Sequence, residues 1–219
     1  CYIDDVLCYS PTFEQHVNVD LPKVMANFRR AGFHFKASKC SFAKPSVAYL
    51  GHVISSTGIA PDPTKCASIK LAAPSTRAEL RSFVGLCSYY RKFVKGFAKI
   101  SRPITSFLNT KLKLTTLPDN IVAAIAELKD ALTSEPILCH PDFSLPFEIH
   151  CDAGPNGLGA TLCQHSGGVE RVIMFASRAL RKHETNYHQY EKEALAVIWA
   201  TAVFKPYVIG TKFKVITDN

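Results

Sequence analysis

The first part of the chain combines short apolar runs with one stretch of helical periodicity. Apolar residues on both sides of an Asp-Asp pair predict two short strands joined by a hairpin turn over residues 1–10. Helical spacing predicts a helix over residues 13–31, in which Pro22 marks a late start or a kink because proline lacks a backbone N–H. Residues 33–42 and 47–54 are predicted to form two further strands.

An amphipathic helix is predicted after the Pro61-Asp62-Pro63 punctuation, which marks the first domain boundary. Thr76-Arg77-Ala78-Glu79 is a capping box, a motif whose threonine and glutamate side chains satisfy free amides at a helix start. The apolar face of the helix holds Leu80, Phe83, Val84, Cys87, Tyr90 and Val94. The polar face largely holds Arg77, Arg81, Ser88, Arg91, Lys92 and Lys95.

Gly85 lies in the middle of this helix, where glycine costs about 1 kcal/mol relative to alanine. A missing side chain lets another backbone come close. The sequence leaves two explanations open: a neighbouring helix packs against Gly85, or a nucleic-acid backbone approaches it.

The second half of the chain changes from helices to strands. Pro103 fits the first turn of a second short helix, residues 112–118 form an extended link, and residues 121–134 show amphipathic helical spacing. The pattern after Pro146 predicts strands over residues 147–152, 158–164, 169–177 and 213–217, and a helix over residues 187–204. Glycine-rich turns separate the first three of these strands, as expected for neighbours in one sheet.

Charge is concentrated in one segment. The formal net charge is +8 with a pI near 9.1, and residues 63–113 alone contain eleven basic residues and one acidic residue, Glu79. Aromatic residues are interleaved with these cations, as in Ser88-Tyr89-Tyr90-Arg91-Lys92-Phe93. The segment therefore favours a polyanion such as nucleic acid as the partner, and a merely solubilising surface is the alternative.

The eight cysteines include no CxxC pair, which argues against a zinc knuckle and favours reduced thiols in an intracellular protein. No apolar run approaches the length of a membrane span. The chain begins with Cys1 inside an apolar run and ends at Asn219 directly after another, so we expect it to be an internal piece of a longer product.

Two sets of acids could bind metal ions. Asp4 and Asp5 lie at the tip of the predicted hairpin, while Asp152, Glu193 and Asp218 end strands or lie in the helix of the second half. Converging carboxylates hold the hard divalent ions used in phosphoryl transfer. Turn aspartates and isolated acids are more often simply solvated, so spacing alone does not establish either site.

Several motifs resemble, in order, the Pol polyproteins of gypsy-type long-terminal-repeat retrotransposons. Tyr2-Ile3-Asp4-Asp5 resembles the catalytic hairpin of reverse transcriptases, and Tyr49-Leu50-Gly51-His52 the hairpin that holds the primer end. The helix around Leu80–Phe93 is similar to the thumb of this group. Leu132–Leu138 resembles the connection segment of the same group. The motifs that resemble its ribonuclease H are Cys151-Asp152-Ala153, Gly157–Ala160, Ser177–Leu180, Glu191–Ala196 and Thr217-Asp218-Asn219.

The resemblance implies an α+β multidomain fold. Residues 1–62 would be the C-terminal part of a reverse-transcriptase palm, 63–113 a helical thumb, 114–145 a connection and 146–219 the first half of an α/β ribonuclease H-like domain. The implied function is that of an RNA-directed DNA polymerase with ribonuclease H activity. A catalytically inactive, retroelement-derived nucleic-acid-binding protein is the alternative.

Site roles follow from the resemblance position by position. Asp4 and Asp5 would bind Mg²⁺ at the polymerase site, and Asp152, Glu193 and Asp218 at the nuclease site, with two ions per site and Mn²⁺ as a substitute. Glu191 is the fallback for Glu193. Nucleic acid would contact Tyr49, Leu50, Gly51, His52, Arg77, Arg81, Gly85, Arg91, Lys92 and Lys95.

The implied partners are an RNA template, a DNA primer, an RNA–DNA hybrid and the remainder of the Pol polyprotein, with a homodimer as one assembly. The implied setting is intracellular and cytoplasmic, including virus-like particles, with no membrane. An acid from an earlier palm strand and a fourth nuclease acid are missing, so we expect this chain alone to be inactive.

Overall fold

A computed structural model describes residues 1–110, 116–134 and 136–217. The chain separates into two compact units, Cys1–Ser56 and Thr57–Asn219. Helices and strands are mixed in both units, so the α+β class is confirmed. The finer domain boundaries at residues 62, 113 and 145 stay predictions. Within the described ranges, no helix has the length and apolar character that a membrane span needs.

The first unit contains two helices and one hairpin: α1 (Phe13–Gln15), α2 (Leu21–Arg30), β1 (Ser46–Tyr49) and β2 (His52–Ser55). A π-helical turn, His16–Asp20, separates the two helices. Pro22 lies in the first turn of α2, just after this π-helical turn, and the backbone angles at both junctions are helical, so the helical segment already begins at Phe13. The late helix start predicted at this proline is therefore wrong, and the alternative, a kink, stays a prediction.

Three strand predictions in this unit are wrong. Residues 33–42 form a short 3-10 turn, Ala37–Lys39, between irregular segments. Residues 47–54 form the antiparallel β1–β2 hairpin rather than one strand. Residues 1–10 contain a tight turn but no strand. An apolar run becomes a strand only where a neighbouring backbone completes its hydrogen bonds, and periodicity does not report such a neighbour.

The second unit begins with strand β3 (Gly58–Pro61) and a helical layer. The helices are α3 (Pro63–Leu71), α4 (Arg77–Tyr89), α5 (Phe97–Leu108) and α6 (Asp119–Thr133). Their shared apolar cluster includes Leu80, Phe83, Cys87, Tyr90, Ile104 and Leu128, all buried. The predicted capping box is confirmed, since Glu79 N–H donates to the Thr76 hydroxyl and Thr76 N–H donates to the Glu79 carboxylate.

Two details of this layer differ from expectation. Pro103 lies inside α5 rather than in its first turn, because the helix already begins after Gly96, whose φ is 68°. The interior proline costs α5 one backbone hydrogen bond. The link predicted over residues 112–118 falls partly on residues 111–115, which lie outside the described residues.

A four-stranded sheet completes the second unit, with β4 (Phe147–Gly154), β5 (Gly157–Ser166), β6 (Val169–Ala179) and β7 (Phe213–Ile216) in the order β6-β5-β4-β7. Its first three strands are antiparallel, and β7 runs parallel to β4. Helix α7 (Gln189–Val208) buries Ala196, Ala200 and Phe204 against the sheet. The predicted strands and helix of this region are confirmed.

Strand β6 contacts both apolar clusters. Ile173 is buried in the sheet cluster, whereas Val172 and Phe175 pack against the helical cluster. The buried Ser177 joins the same two layers: its hydroxyl accepts from Ala98 N–H at 2.9 Å, and its carbonyl oxygen accepts from the Arg91 guanidinium. The helical layer and the sheet are therefore held together by both packing and hydrogen bonds.

Candidate active sites and nucleic-acid surface

The Asp4-Asp5 pair lies on a tight turn closed by two backbone hydrogen bonds. Tyr2 N–H donates to Asp5 O at 2.8 Å, and Asp5 N–H donates to Tyr2 O at 2.9 Å. Both carboxylates are exposed. Ile3 has a φ of 51°, which a β-branched residue rarely adopts and which therefore costs conformational energy. Strain of this kind is concentrated at functional turns, which agrees with the predicted catalytic role.

The segment Tyr49–His52 forms the turn between β1 and β2. Leu50 and Gly51 both have positive φ angles, 47° and 68°, as the two central residues of a tight hairpin turn require. The Tyr49 hydroxyl donates to the backbone oxygen of Asp5 at 3.2 Å. This hydrogen bond places the predicted primer hairpin beside the predicted polymerase acids.

The acids predicted to form a nuclease site come from two different elements. Asp152 lies on β4 with an exposed carboxylate, and Glu193 lies on α7 with 7% of its surface exposed. Gln189 links the two elements, because its side-chain amide donates to Ala153 O and to Glu193 Oε1, each at 2.6 Å. Gly159 lies opposite Asp152 on β5, and a methyl group there would contact Asp152 Oδ2 at 3.8 Å. The missing side chain leaves the carboxylate accessible.

Glu193 has the properties of a cation ligand. Its Oε2 is buried without a hydrogen-bond partner in the described part of the chain, and such an atom is costly unless a ligand completes it. A cavity of about 170 Å³ adjoins this side chain and also contacts Tyr190 and Thr217. Asp218, the third predicted acid, lies outside the described residues. The available donors are carboxylate oxygens, which suit Mg²⁺.

Glu191, the fallback for Glu193, has a different role. It accepts from His188 N–H at 2.8 Å as part of the capping box that begins α7. Its carboxylate therefore stabilises the helix start, whereas Glu193 lines the cavity described above. The residue of this candidate site that periodicity did not reveal is Gln189, although its position one helical turn before Glu193 placed it on the same face.

Part of the basic face of α4 is open to solvent. Arg81 and Gly85 are exposed on α4, and Lys95 is exposed beyond its end. The prediction that this helix extends to Val94 and Lys95 is wrong, because α4 ends at Tyr89 and a 3-10 turn, Arg91–Phe93, follows it. A side chain built on Gly85 would meet nothing within 4 Å among the described residues. The explanation that a neighbouring helix packs against Gly85 is therefore wrong, and the approach of a nucleic-acid backbone stays a prediction.

Other cations of the predicted surface take part in the fold. The Arg77 guanidinium donates to the carbonyl oxygens of Phe107 and Leu108 at 3.2 and 2.8 Å and stacks on the Phe107 ring. It caps the C-terminus of α5, where backbone carbonyls need donors. Arg91 donates to Ser177 O, as described above. Burial lowers the pKa of Lys92, whose ammonium lies over the Phe93 ring.

Two family models match the chain. The family described as reverse transcriptase (RNA-dependent DNA polymerase) matches residues 1–54, and the RNase H-like domain found in reverse transcriptase matches residues 119–215. The first match contains the Asp4-Asp5 turn and the β1–β2 turn. The second contains β4 to β6, α7 and all but the last residue of β7, with Asp152 and Glu193.

Curated relatives match the whole chain. The retrovirus-related Pol polyproteins from transposon 297 and transposon gypsy of Drosophila melanogaster are 36% and 35% identical over 100% of the chain. The transposon Tf2-3 polyprotein of Schizosaccharomyces pombe is 30% identical over the same share. The chain spans only about a fifth of the length of these relatives: 20%, 22% and 17%, respectively.

Solved structures show the same fold. The foamy viral protease–reverse transcriptase bound to double-stranded DNA superposes with a TM-score of 0.82 at 22% identity, covering 96% of this chain and 37% of that one. Its complex with an RNA/DNA hybrid gives a TM-score of 0.81 at the same identity and covers 29% of that chain. From end to end, the chain is thus homologous to the reverse transcriptase and ribonuclease H-like region of the Pol polyproteins of gypsy-type transposons, and the predicted family is confirmed.

Proposed function

We propose that this chain is a segment of an RNA-directed DNA polymerase with ribonuclease H activity, whose parent copies retroelement RNA into DNA and degrades the RNA strand of the hybrid. One observation carries the proposal. Gln189 ties Glu193 of α7 to the backbone of β4 at Ala153, directly after Asp152, and Glu193 Oε2 is buried without a partner in the described ranges.

At the nuclease site, Asp152 and Glu193 would hold divalent cations together with Asp218, which lies outside the described residues. Bound Mg²⁺ supplies an activated water and stabilises the charge that develops on the scissile phosphate. Gln189 acts as a positioning residue: it holds Glu193 Oε1 so that Oε2 faces the cavity. The exposed Asp152 carboxylate and the absent side chain of Gly159 leave room for the substrate phosphate.

At the polymerase site, the exposed Asp4 and Asp5 carboxylates would hold the cations that bind the incoming nucleotide and the primer hydroxyl. The hydrogen bond from Tyr49 to Asp5 O fixes the primer hairpin against this turn. Tyr49 to His52 would then position the primer end beside the two carboxylates.

The nucleic-acid surface is proposed to be the open face of α4 together with Lys95, which follows the 3-10 turn after this helix. Arg81 and Lys95 supply phosphate contacts, which position a duplex without reading its sequence, and Gly85 lets the backbone come close. The foamy viral neighbours bound to double-stranded DNA and to an RNA/DNA hybrid support these partners. The rest of a Pol polyprotein, a homodimer and a cytoplasmic setting that includes virus-like particles belong to the same proposal.

The test is a pair of variants in the complete parent polyprotein, assayed for primer extension and for cleavage of RNA in a hybrid. Asp152→Asn is expected to lower hybrid cleavage more than about 100-fold, because even residues outside a ligand set cost 10–100-fold at metal sites. Primer extension should be retained. Asp4→Asn should instead lower primer extension and leave hybrid cleavage unchanged.

Glu191→Gln is the matched control, since it changes an acid two residues from Glu193 that serves the helix cap. It should retain cleavage, whereas Glu193→Gln should lose it. Cleavage that survives both Asp152→Asn and Glu193→Gln would overturn the assignment. A parent that binds hybrid but shows neither activity would instead support the inactive nucleic-acid-binding alternative.

A further inference from the structure

The sheet face opposite α7 carries a second cluster of metal-ligating side chains. Glu148 and Cys163 are direct cross-strand partners on β4 and β5, and His150 follows Glu148 on the same face of β4. Each of these three offers one ligand atom, and the three atoms lie within 4.8 Å of one another. No role in either proposed active site uses them.

A fourth donor adjoins the cluster. His165 lies two residues after Cys163 on β5, and its Nδ1 is 3.3 Å from Glu148 Oε2. His150 Nε2 is 3.9 Å from the same oxygen. In a tetrahedral zinc site with bonds of about 2.1 Å, neighbouring ligand atoms lie about 3.4 Å apart. The two distances from Glu148 Oε2 to the histidine nitrogens, 3.9 and 3.3 Å, lie on either side of this value.

We propose that Glu148, His150, Cys163 and His165 form a binding site for a zinc-class divalent cation on the β4–β5 strand pair. A thiol, two imidazoles and one carboxylate are the ligand types that zinc prefers, and they differ from the all-oxygen sites that suit Mg²⁺.

The polar contacts within the cluster leave room for this role. His150 Nε2 is buried without a hydrogen-bond partner in the described part of the chain, so a ligand there would offset an existing cost. Lys214 contacts the other carboxylate oxygen, Glu148 Oε1, at 3.4 Å, and its side chain is 73% exposed. Glu148 Oε2 thus remains directed at the two histidines, and Lys214 can turn towards solvent.

Chemistry separates this cluster from the predicted nuclease acids, which offer only carboxylate oxygens. Three residues of β4 lie between Glu148 and Asp152, about 13 Å along a strand, while His150 lies two residues from Asp152 on the same face. A cation bound here would take up Cys163 as the deprotonated thiolate, so a thiolate-to-metal signal would report binding at this position.

The experiment is a titration of the purified chain with Co²⁺, a spectroscopic substitute for zinc, followed by competition with Zn²⁺. We expect a thiolate-to-cobalt charge-transfer band that zinc abolishes. Zinc should also raise Tm, by about 5–10 °C at a free concentration 100 times Kd. Cys163→Ala should remove the band.

Cys151→Ala is the matched control, because Cys151 is buried on the opposite face of the neighbouring strand and should leave the band unchanged. His150→Gln, a change at a half-buried side chain, repeats the test without altering a fully buried position. The Asp152→Asn/Glu193→Gln double variant should keep the band. The proposal would be overturned if the unaltered 219-residue chain showed no charge-transfer band, or if the band persisted in Cys163→Ala.

Discussion

The Asp4-Asp5 turn and the Asp152–Glu193 site differ in what fixes their carboxylates. The turn rests on two local backbone hydrogen bonds and one bond from Tyr49, and none of residues 1–56, all of which the structure describes, is buried. Asp152 and Glu193 belong to a unit with two apolar clusters, and Gln189 links Glu193 to the backbone of β4 at Ala153, next to Asp152.

The difference teaches how much of each site this chain can hold in place. Apolar burial contributes about 25 cal/mol per Å², so a unit with no buried side chains has little to offset the entropy of ordering its backbone. Asp152 and Glu193 should therefore keep their positions in the isolated chain, while the Asp4-Asp5 turn should open and close locally.

The largest expected contrast is in amide hydrogen exchange. The slowest amides of β5 should exchange at least about 1,000-fold more slowly than the slowest amides of β2, because the former open only when the second unit unfolds. Mass spectrometry on peptides from the two strands measures this ratio. Equal protection of the β5 and β2 amides would contradict the difference in stability expected between the two units.

The next contrast concerns a buried ion pair of the second unit. Glu184, 4% exposed, accepts two hydrogen bonds from Arg178 at 2.6 and 3.0 Å and one from Arg181 N–H at 2.7 Å. Glu184→Gln should lower the free energy of unfolding by about 3 kcal/mol, since it leaves Arg178 without its charge partner. Urea denaturation measures the loss. Glu127→Gln, at an exposed glutamate of α6, should change it by less than about 0.5 kcal/mol.

The same ion pair predicts a pH dependence. The hydrogen bonds from Arg178 lower the pKa of Glu184 from 4.5 to about 2. Because the folded-state pKa is the lower one, this stabilisation is complete above pH 4.5 and is lost as the pH falls towards 2. As the pH is lowered across this window, the urea midpoint of the unaltered chain should fall more steeply than that of Glu184→Gln. Parallel curves would contradict the assignment.

A smaller effect separates the cations of the helical layer. Arg77→Gln should cost about 1–2 kcal/mol of unfolding free energy, because it removes charged hydrogen bonds to the end of α5. Arg81→Gln should leave stability unchanged and reduce the salt dependence of hybrid binding by about one counterion. Binding isotherms at several salt concentrations measure the salt dependence of both variants, and urea denaturation measures their stability. If only Arg77→Gln lowered the salt dependence of binding, Arg77 rather than Arg81 would be the residue that contacts phosphate.

The smallest expected effect lies in the first unit. The Ser10 hydroxyl donates to Asp20 Oδ2 at 2.7 Å and lies 3.1 Å from His16 Nδ1. Ser10→Ala should change the main unfolding transition by less than about 0.5 kcal/mol, because that transition reports the second unit. Calorimetry measures the shift. A change comparable to that of Glu184→Gln would show that the two units unfold together.

Local signals were sufficient for several elements of this fold. The start of α4 follows from Thr76 and Glu79 because a capping box is completed within four residues. Strands β4 to β6 follow from alternation and from glycine turns between them. Residues 33–42 show a similar apolar pattern but have no neighbouring strand, so periodicity gave the wrong answer there.

The candidate sites were predicted less completely, for a related reason. The acids were predicted from family motifs, which identify sequence positions but do not show which residues those positions contact. The link from Gln189 to Ala153 joins residues 36 apart in sequence, and the bond from Arg77 to Leu108 spans 31. Such partners depend on how elements pack, so the sequence could not distinguish Arg77 as a cap from Arg81 as an open cation.

Strand β6 has a consequence for how such chains diversify. Because Ile173 belongs to the sheet cluster while Val172 and Phe175 belong to the helical one, neither layer is an exchangeable module. Inserting one residue into β6 would send each of these side chains to the other face. Recombination between related elements should therefore succeed outside β6, and crossovers within it should survive only when both parents share the same register.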